Sequence, residues 1–293
     1  MRRVVAAGMM LALAAGGCSA RAESAPSAAD NSVQFDQALH DMLPQSIRTT
    51  GTIRFVTDAS YPPMEQFAPD GRTIVGFEPD LADALGRVLG VKVQMVTGVF
   101  QTALDKVNDG TYDGVLSAMT DTADREKKAD FVDYFSAGTS IIVQRGNPAR
   151  IAELTNLCGK VIATEQGTVQ ADLLHRSQSG CGDRPMKINE YKTNADALLQ
   201  LRTGRAAAVL NDYPAASYLA SDNRTDNYYE LASEAQYEPG LFGIPVARNN
   251  TQLRDALKGA LDQVIASGAY ADLLKRWGLS DGAVKNAVVN GAA

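Results

Sequence analysis

Between residues 52 and 57 polar and apolar side chains alternate, Thr52-Ile53-Arg54-Phe55-Val56-Thr57, which is the period of a half-buried strand. Tyr61-Pro62-Pro63 stops the run, because proline fixes φ and has no N–H to donate to a ladder. Phe77, Leu81, Ala84, Leu85, Val88 and Leu89 then recur at helical spacing, Gly90 closes the helix, and a second strand is expected over residues 91–96. The same order returns as a helix near 103–107 and a short strand at 114–118. It returns again as a strand at 160–164 with a helix after Gly167, and as a helix at 195–201, a strand at 206–210 and a helix at 213–219. A strand at 242–246, a helix at 252–265 and a last short helix at 270–277 end the pattern. Ahead of it, Phe35, Leu39, Met42 and Leu43 give one short helix within 33–46, expected to pack on the outside. Strands alternating with helices in this way predict α/β lobes with mostly parallel sheets and ligand sites at the carboxyl ends of strands.

The start of the chain follows another rule. Arg2 and Arg3 precede an apolar run over 4–13 that is too short to cross a bilayer comfortably, and small residues lead to Cys18. Residues 1–17 therefore read as an export signal. Leu13-Ala14-Ala15-Gly16-Gly17-Cys18 resembles a bacterial lipobox, which implies a lipid on Cys18. Residues 18–48 then hold the lipidated cysteine, a flexible tether rich in Ala and Ser, and the short helix. No later stretch is long and apolar enough to span a membrane. In an oxidising compartment the two remaining cysteines, Cys158 and Cys181, are expected to form a disulfide.

Composition removes several classes of function. With 45% apolar and 21% charged residues in 293, the chain is globular and has room for two domains. Lys and Arg number 28 against 34 Asp and Glu, a net charge of -6, which argues against a nucleic-acid partner. Two histidines far apart in sequence, His40 and His175, give little from which to build a His-rich metal site or a His-based triad. The chain has no phosphate-binding loop and no dinucleotide fingerprint, so neither a cofactor nor a metal is expected.

Six segments in order carry a resemblance: Thr57-Asp58-Ala59-Ser60-Tyr61-Pro62-Pro63-Met64-Glu65, Gly76-Phe77-Glu78-Pro79-Asp80-Leu81-Ala82, Tyr112-Asp113-Gly114 with Met119-Thr120-Asp121-Thr122-Ala123-Asp124-Arg125, Gly159-Lys160 with Gln166-Gly167-Thr168, Asn211-Asp212, and Gly268-Ala269-Tyr270 with Lys275-Arg276-Trp277-Gly278-Leu279. Together they resemble the polar amino-acid family of bacterial solute-binding proteins, the extracytoplasmic receptors of ABC importers. The resemblance implies a two-lobe periplasmic-binding-protein fold (type II), α/β, with the ligand cleft between the lobes and a two-strand hinge. Lobe 1 would take residues 49–138 and 239–279, lobe 2 residues 139–238, and residues 280–293 a loose tail. Glycines and a proline near 138–142 and 239–242 suit strands that change backbone angle on closure.

A site for a free amino acid must replace the water around a carboxylate and an ammonium at once. Arg125 falls where the family has its carboxylate clamp, and its planar fork makes two charge-assisted hydrogen bonds. Thr120 and Ala118 would add backbone groups, and Thr168 with the amide of Val169 would meet the carboxylate from a helix start. Asp212 matches the ammonium-binding aspartate, with capping of the following helix as its other role. Tyr61 and Phe100 match the rings that sandwich the ligand's side chain. Asp58, Glu65 and Glu165 would line the distal pocket, which favours a basic amino acid over a neutral polar one. The implied partners are that amino acid, the transmembrane subunits of an ABC permease, and a membrane reached through the lipid, with the receptor a monomer. The alternatives are an enzyme on the same scaffold, resembling cyclohexadienyl dehydratases with Glu65 or Glu165 as general acid, and a ligand-sensing partner of a signalling receptor.

Overall fold

The computed structural model describes residues 33–292. The export signal, Cys18 and the tether up to residue 32 lie outside the described residues. Two short helices open the structure, α1 (Gln37–Met42) and α2 (Gln45–Thr50), and β1 (Thr52–Thr57) follows. A small antiparallel sheet comes next, made of β2 (Ser60–Tyr61), β3 (Glu65–Phe67) and β4 (Ile74–Val75). The chain continues through α3 (Phe77–Leu89), β5 (Lys92–Thr97), α4 (Ala103–Asn108), β6 (Gly114–Val115), α5 (Ala123–Glu126) and the long β7 (Ala129–Gln144). Then come β8 (Val161–Glu165), α6 (Val169–Ser177), β9 (Lys187–Tyr191), α7 (Asn194–Arg202), β10 (Ala208–Asp212), α8 (Tyr213–Ser221) and β11 (Tyr229–Leu231). The chain returns through β12 (Tyr237–Ala247), α9 (Thr251–Ala266), α10 (Ala269–Trp277) and β13 (Val288–Val289).

The main sheet runs β5-β1-β6-β12-β7-β10-β8-β9. Its two ends are parallel, β1 with β5 and β6 in one lobe and β8 with β9 and β10 in the other. Between them β7 and β12 pair antiparallel and carry the chain across. Helices α3, α9 and α10 close over the first lobe with Phe77, Tyr134, Phe135 and Tyr270 at its centre. Two smaller apolar clusters lie on the two faces of the main sheet in the second lobe, around Ile141, Leu174 and Leu210 and around Ile142, Leu201 and Val209.

Several expectations change. The single helix over 33–46 is two, because Pro44 takes an extended conformation (ψ 143°) as the cap of α2. The first of them, α1, packs on the outside with no buried residue, while Leu43 after it and Ile47 of α2 are buried in the first core and His40 Nδ1 lies 2.8 Å from the Leu89 carbonyl. The strand expected over 114–118 leaves its ladder after Val115, and Ala118 sits in the left-handed region at φ 45°. The tail is not loose. β13 adds to β7 opposite Val132 and Asp133, Ala287 is 1% exposed, and the Gly291 N–H donates to Asp133 Oδ2 at 3.0 Å. A two-residue strand carries no period to read. β7 escaped the pattern for the opposite reason: buried on both faces for most of its length, it shows no alternation.

Cys158 and Cys181 are joined, with their Cα atoms 5.2 Å apart. The bridge ties the turn before β8 to the short turn that follows α6, across 23 positions of sequence. Replacing both cysteines with serine is expected to lower stability by about 3 kcal/mol in denaturant titrations, the chain-entropy value for a loop of this length. Two reactive thiols in the unreduced, denatured segment 158–181 would contradict the bridge.

Candidate functional site

The carboxyl ends of β1, β6, β8 and β10 face one another across the gap between the lobes, which are drawn together so closely that the cavity left between them is about 20 Å³. From the first lobe, Asp58, Tyr61, Phe100, Ala118, Thr120 and Arg125 line it; from the second, Glu165, Thr168, Val169 and Asp212 do. Arg125 stands on α5, whose cap Thr122 accepts the Arg125 N–H. Its guanidinium lies 5.6 Å from the Phe100 ring centre. One arm of the fork donates to the Thr120 carbonyl at 2.7 Å, and the other reaches across the gap to the Gly167 carbonyl at 2.9 Å. Burial pushes the guanidinium pKa down, while Asp172, Asp212 and Asp121 hold it up.

Gly167 allows this approach. It sits at φ 77°, and a Cβ there would stand 3.0 Å from Gln101 of the other lobe. Thr168 caps α6 by accepting the Ala171 N–H at 3.2 Å, and Val169, the first residue of that helix, lines the gap. Asp212 occupies the capping position of α8, but its side chain makes no capping bond. The carboxylate accepts instead from the Tyr61 hydroxyl at 2.8 Å and from Gln170 Nε2 at 2.7 Å, and the Asp212 N–H donates to the Tyr61 oxygen at 2.7 Å. Burial pushes its pKa up to about 7 against the pull of these donors and of Arg125.

Asp58 and Glu165 meet from opposite lobes. Asp58 accepts from the Ser60 hydroxyl at 2.9 Å and from the Asn194 N–H, the first of α7, at 3.4 Å. Glu165 is 7% exposed, touches the Asp58 carboxyl, and has a buried Oε1 without a partner. Burial first, then the charge of Asp58, pushes the Glu165 pKa up to about 10; burial also raises that of Asp58.

Glu65 is not on the wall. It lies behind Ser117, which lines the gap, donates to Glu65 Oε1 at 2.8 Å and accepts the Asp58 N–H at 3.0 Å. Glu65 is paired there with Glu78, whose Oε1 accepts the Ala118 N–H at 2.7 Å and the Tyr134 hydroxyl. Burial raises both pKa values, that of Glu65 well above its ordinary 4.5. Sequence reasoning passed over Ser117, Gln170, Leu210 and Asn211, which also line the gap. Their signal was position: each stands within three residues of one that was singled out.

The model of the bacterial extracellular solute-binding proteins, family 3, matches residues 53–280, and the chain belongs to that family. The arginine-binding protein ArgT of Corynebacterium glutamicum is 28% identical over 254 residues, 85% of this chain and 81% of that protein. An ancestral arginine-binding protein bound to arginine superposes with a TM-score of 0.71 at 29% identity, covering 78% of this chain and 98% of that one. An ancestral amino acid-binding protein, a precursor of cyclohexadienyl dehydratase, gives 0.70 at 29% identity, covering 79% and 97%. These are two-lobe amino-acid-binding folds, as is this chain.

The Glu65–Glu78 pair lies within one lobe, so its proton is bound by the folded chain whether or not the lobes are closed. An unfolded chain releases that proton above about pH 4.5, so the folded state binds more protons and its stability falls as pH rises, by up to about 1.4 kcal/mol per unit. Glu65→Gln is expected to remove one proton's share of that slope in melts between about pH 5 and about pH 8. An unchanged slope would mean that the pair is already ionised.

Proposed function

We propose that this protein is the substrate-binding component of an amino-acid ABC importer and that it closes its lobes around one basic amino acid. The carrying observation is that one enclosed gap holds Arg125 together with three carboxyl groups, those of Asp58, Glu165 and Asp212. Arg125, the Thr120 backbone, Thr168 and the Val169 N–H take the ligand's carboxylate. Asp212 and the Ala118 carbonyl take its ammonium. The side chain runs between Tyr61 and Phe100 toward Asp58 and Glu165, where a cationic end neutralises carboxylates that are costly to bury alone. Glu65 acts from behind by holding Ser117.

Ligand bridges the two lobes only when they are together, so it binds the closed form more tightly and shifts the population toward it. A permease dimer reads that change. No turnover is involved: Arg125 and Asp212 suit a ligand that keeps both its carboxylate and its ammonium. Export through residues 1–17 and a lipid on Cys18 place the receptor outside the cell membrane or in a periplasm, and among the described residues no helix is long and apolar enough to cross a membrane.

A thermal-shift screen of the twenty amino acids, ornithine and citrulline tests this. Arginine, lysine or ornithine at a hundred times its dissociation constant should stabilise by about 2.7 kcal/mol, and Arg125→Ala should abolish the shift. A response confined to neutral amino acids would remove the basic ligand. No response at all, or turnover of prephenate or arogenate by the purified protein, would remove the receptor.

A further inference from the structure

Asp58 follows β1 in the first lobe and Glu165 ends β8 in the second, so closing the lobes is what puts these two carboxyl groups in contact. The surroundings offer them little positive charge. Asp58 is faced by Ser60 and Ser117 from its own lobe, by the Asn194 N–H across the gap, and by the charges of Asp196 on α7 and Glu65 behind. Glu165 is faced by Asp58 and Asp212. Tyr61 is committed to Asp212 through both of its hydroxyl contacts. Among the described residues lining the gap, Arg125 is the one cation, and its fork is turned to the Thr120 and Gly167 carbonyls. The buried Glu165 Oε1 has no donor.

We propose that Asp58 and Glu165 form a proton-or-cation site, which in the closed protein holds either one proton or the cationic end of a basic amino acid, so that selectivity for basic over neutral ligands rises with pH. The inference rests on reading the gap as an amino-acid site, and adds to it how that site chooses. With a neutral ligand in place, the pair keeps a proton between its oxygens, since two adjacent buried carboxylates repel and neither is solvated. The high pKa of Glu165 in the closed structure, about 10, agrees with this. A guanidinium or ammonium in the same place favours the ionised pair, and the proton goes to solvent.

The two closed complexes therefore differ by one bound proton. The ratio of the two affinities compares only those complexes, so it does not depend on whether the free protein is open or closed. By linkage that ratio changes about tenfold per pH unit wherever the neutral complex keeps its proton and the cationic one does not. Acid conditions make the receptor accept an uncharged side chain, and neutral conditions restrict it to cations.

Arginine and citrulline, its uncharged ureido counterpart, are the probes. Calorimetry between about pH 6 and about pH 8 should show the arginine-to-citrulline affinity ratio rising about a hundredfold. Titrations in buffers of different ionisation enthalpy should show citrulline binding with about one more proton taken up than arginine at the same pH. Glu165→Gln should make the ratio flat and lower arginine affinity while citrulline still binds; the proton count on the unaltered protein serves if that variant does not fold. A ratio that is constant with pH while both ligands bind overturns the linkage and leaves the basic-ligand reading standing. Citrulline failing to bind even at the acid end also overturns it. Binding by neither probe, or by citrulline alone, overturns the underlying reading as well.

Discussion

Because β7 and β12 pair antiparallel from Ala129 opposite Ala247 up to Thr139 opposite Tyr237, each lobe borrows its inner strands from segments that run on into the other. Past Thr139, β7 continues beside β10 and β11, while β12 meets β6 at Val246. The pairing fixes where each parallel sheet ends, and parallel sheets bind ligands at the carboxyl ends of their strands. Asp58, Ala118, Glu165 and Asp212 all lie at such ends. Irregular register in β12 between Tyr237 and Gly240 falls at the crossing.

What the crossing brings together is costly charge. Three carboxyl groups and a guanidinium leave water when the gap closes, and each loses hydration that only fixed donors, acceptors or opposite charges replace. Asp212 is the best provided, with Tyr61 and Gln170 donating to it. Arg125 rests on two carbonyls. Asp58 has Ser60 and the start of α7, and Glu165 has least. The distribution is uneven along the gap: satisfied where the invariant head group of an amino acid would sit, and unsatisfied where its variable side chain would end. On the proposed reading, shape and head-group contacts set what class of molecule enters, and the unmet carboxyl pair sets which member of it stays.

Much of this was legible in the chain. The amphipathic α3 follows a period of 3.6 closely, β1 alternates over its first four residues, and the residues beside motif glycines and prolines were found from type and spacing. β7 was not legible because burial on both sides erases alternation, and β13 because pairing with β7, rather than any local preference, makes two residues a strand. Glu65 was misplaced by a different limit. Its position in the first motif says that it is near Asp58, but only the fold shows Ser117 standing between Glu65 and the gap. Gln170 was passed over because a glutamine in the first turn of a helix reads as surface, and its two buried partners, Thr139 and Asp212, lie on other strands.

The closed arrangement also holds direct contacts between lobes that need no ligand. Ser60 accepts from Asn194 Nδ2 at 3.0 Å and from the Ala195 N–H at 3.3 Å, Tyr61 pairs with Asp212, and Arg125 reaches Gly167. Each of these groups is hydrated when the lobes part, so each contact exchanges water for protein and nets only about 1 kcal/mol. Against them stands the cost of bringing Glu165 onto Asp58. On the proposed reading the contacts at Ser60, Tyr61 and Gly167 draw the lobes together, and a proton or a cation on the Asp58–Glu165 pair offsets what burying two carboxyl groups costs. On that reading the same residues serve recognition and movement, because the pair that a ligand's cation would satisfy is the pair that must otherwise take up a proton for the lobes to close.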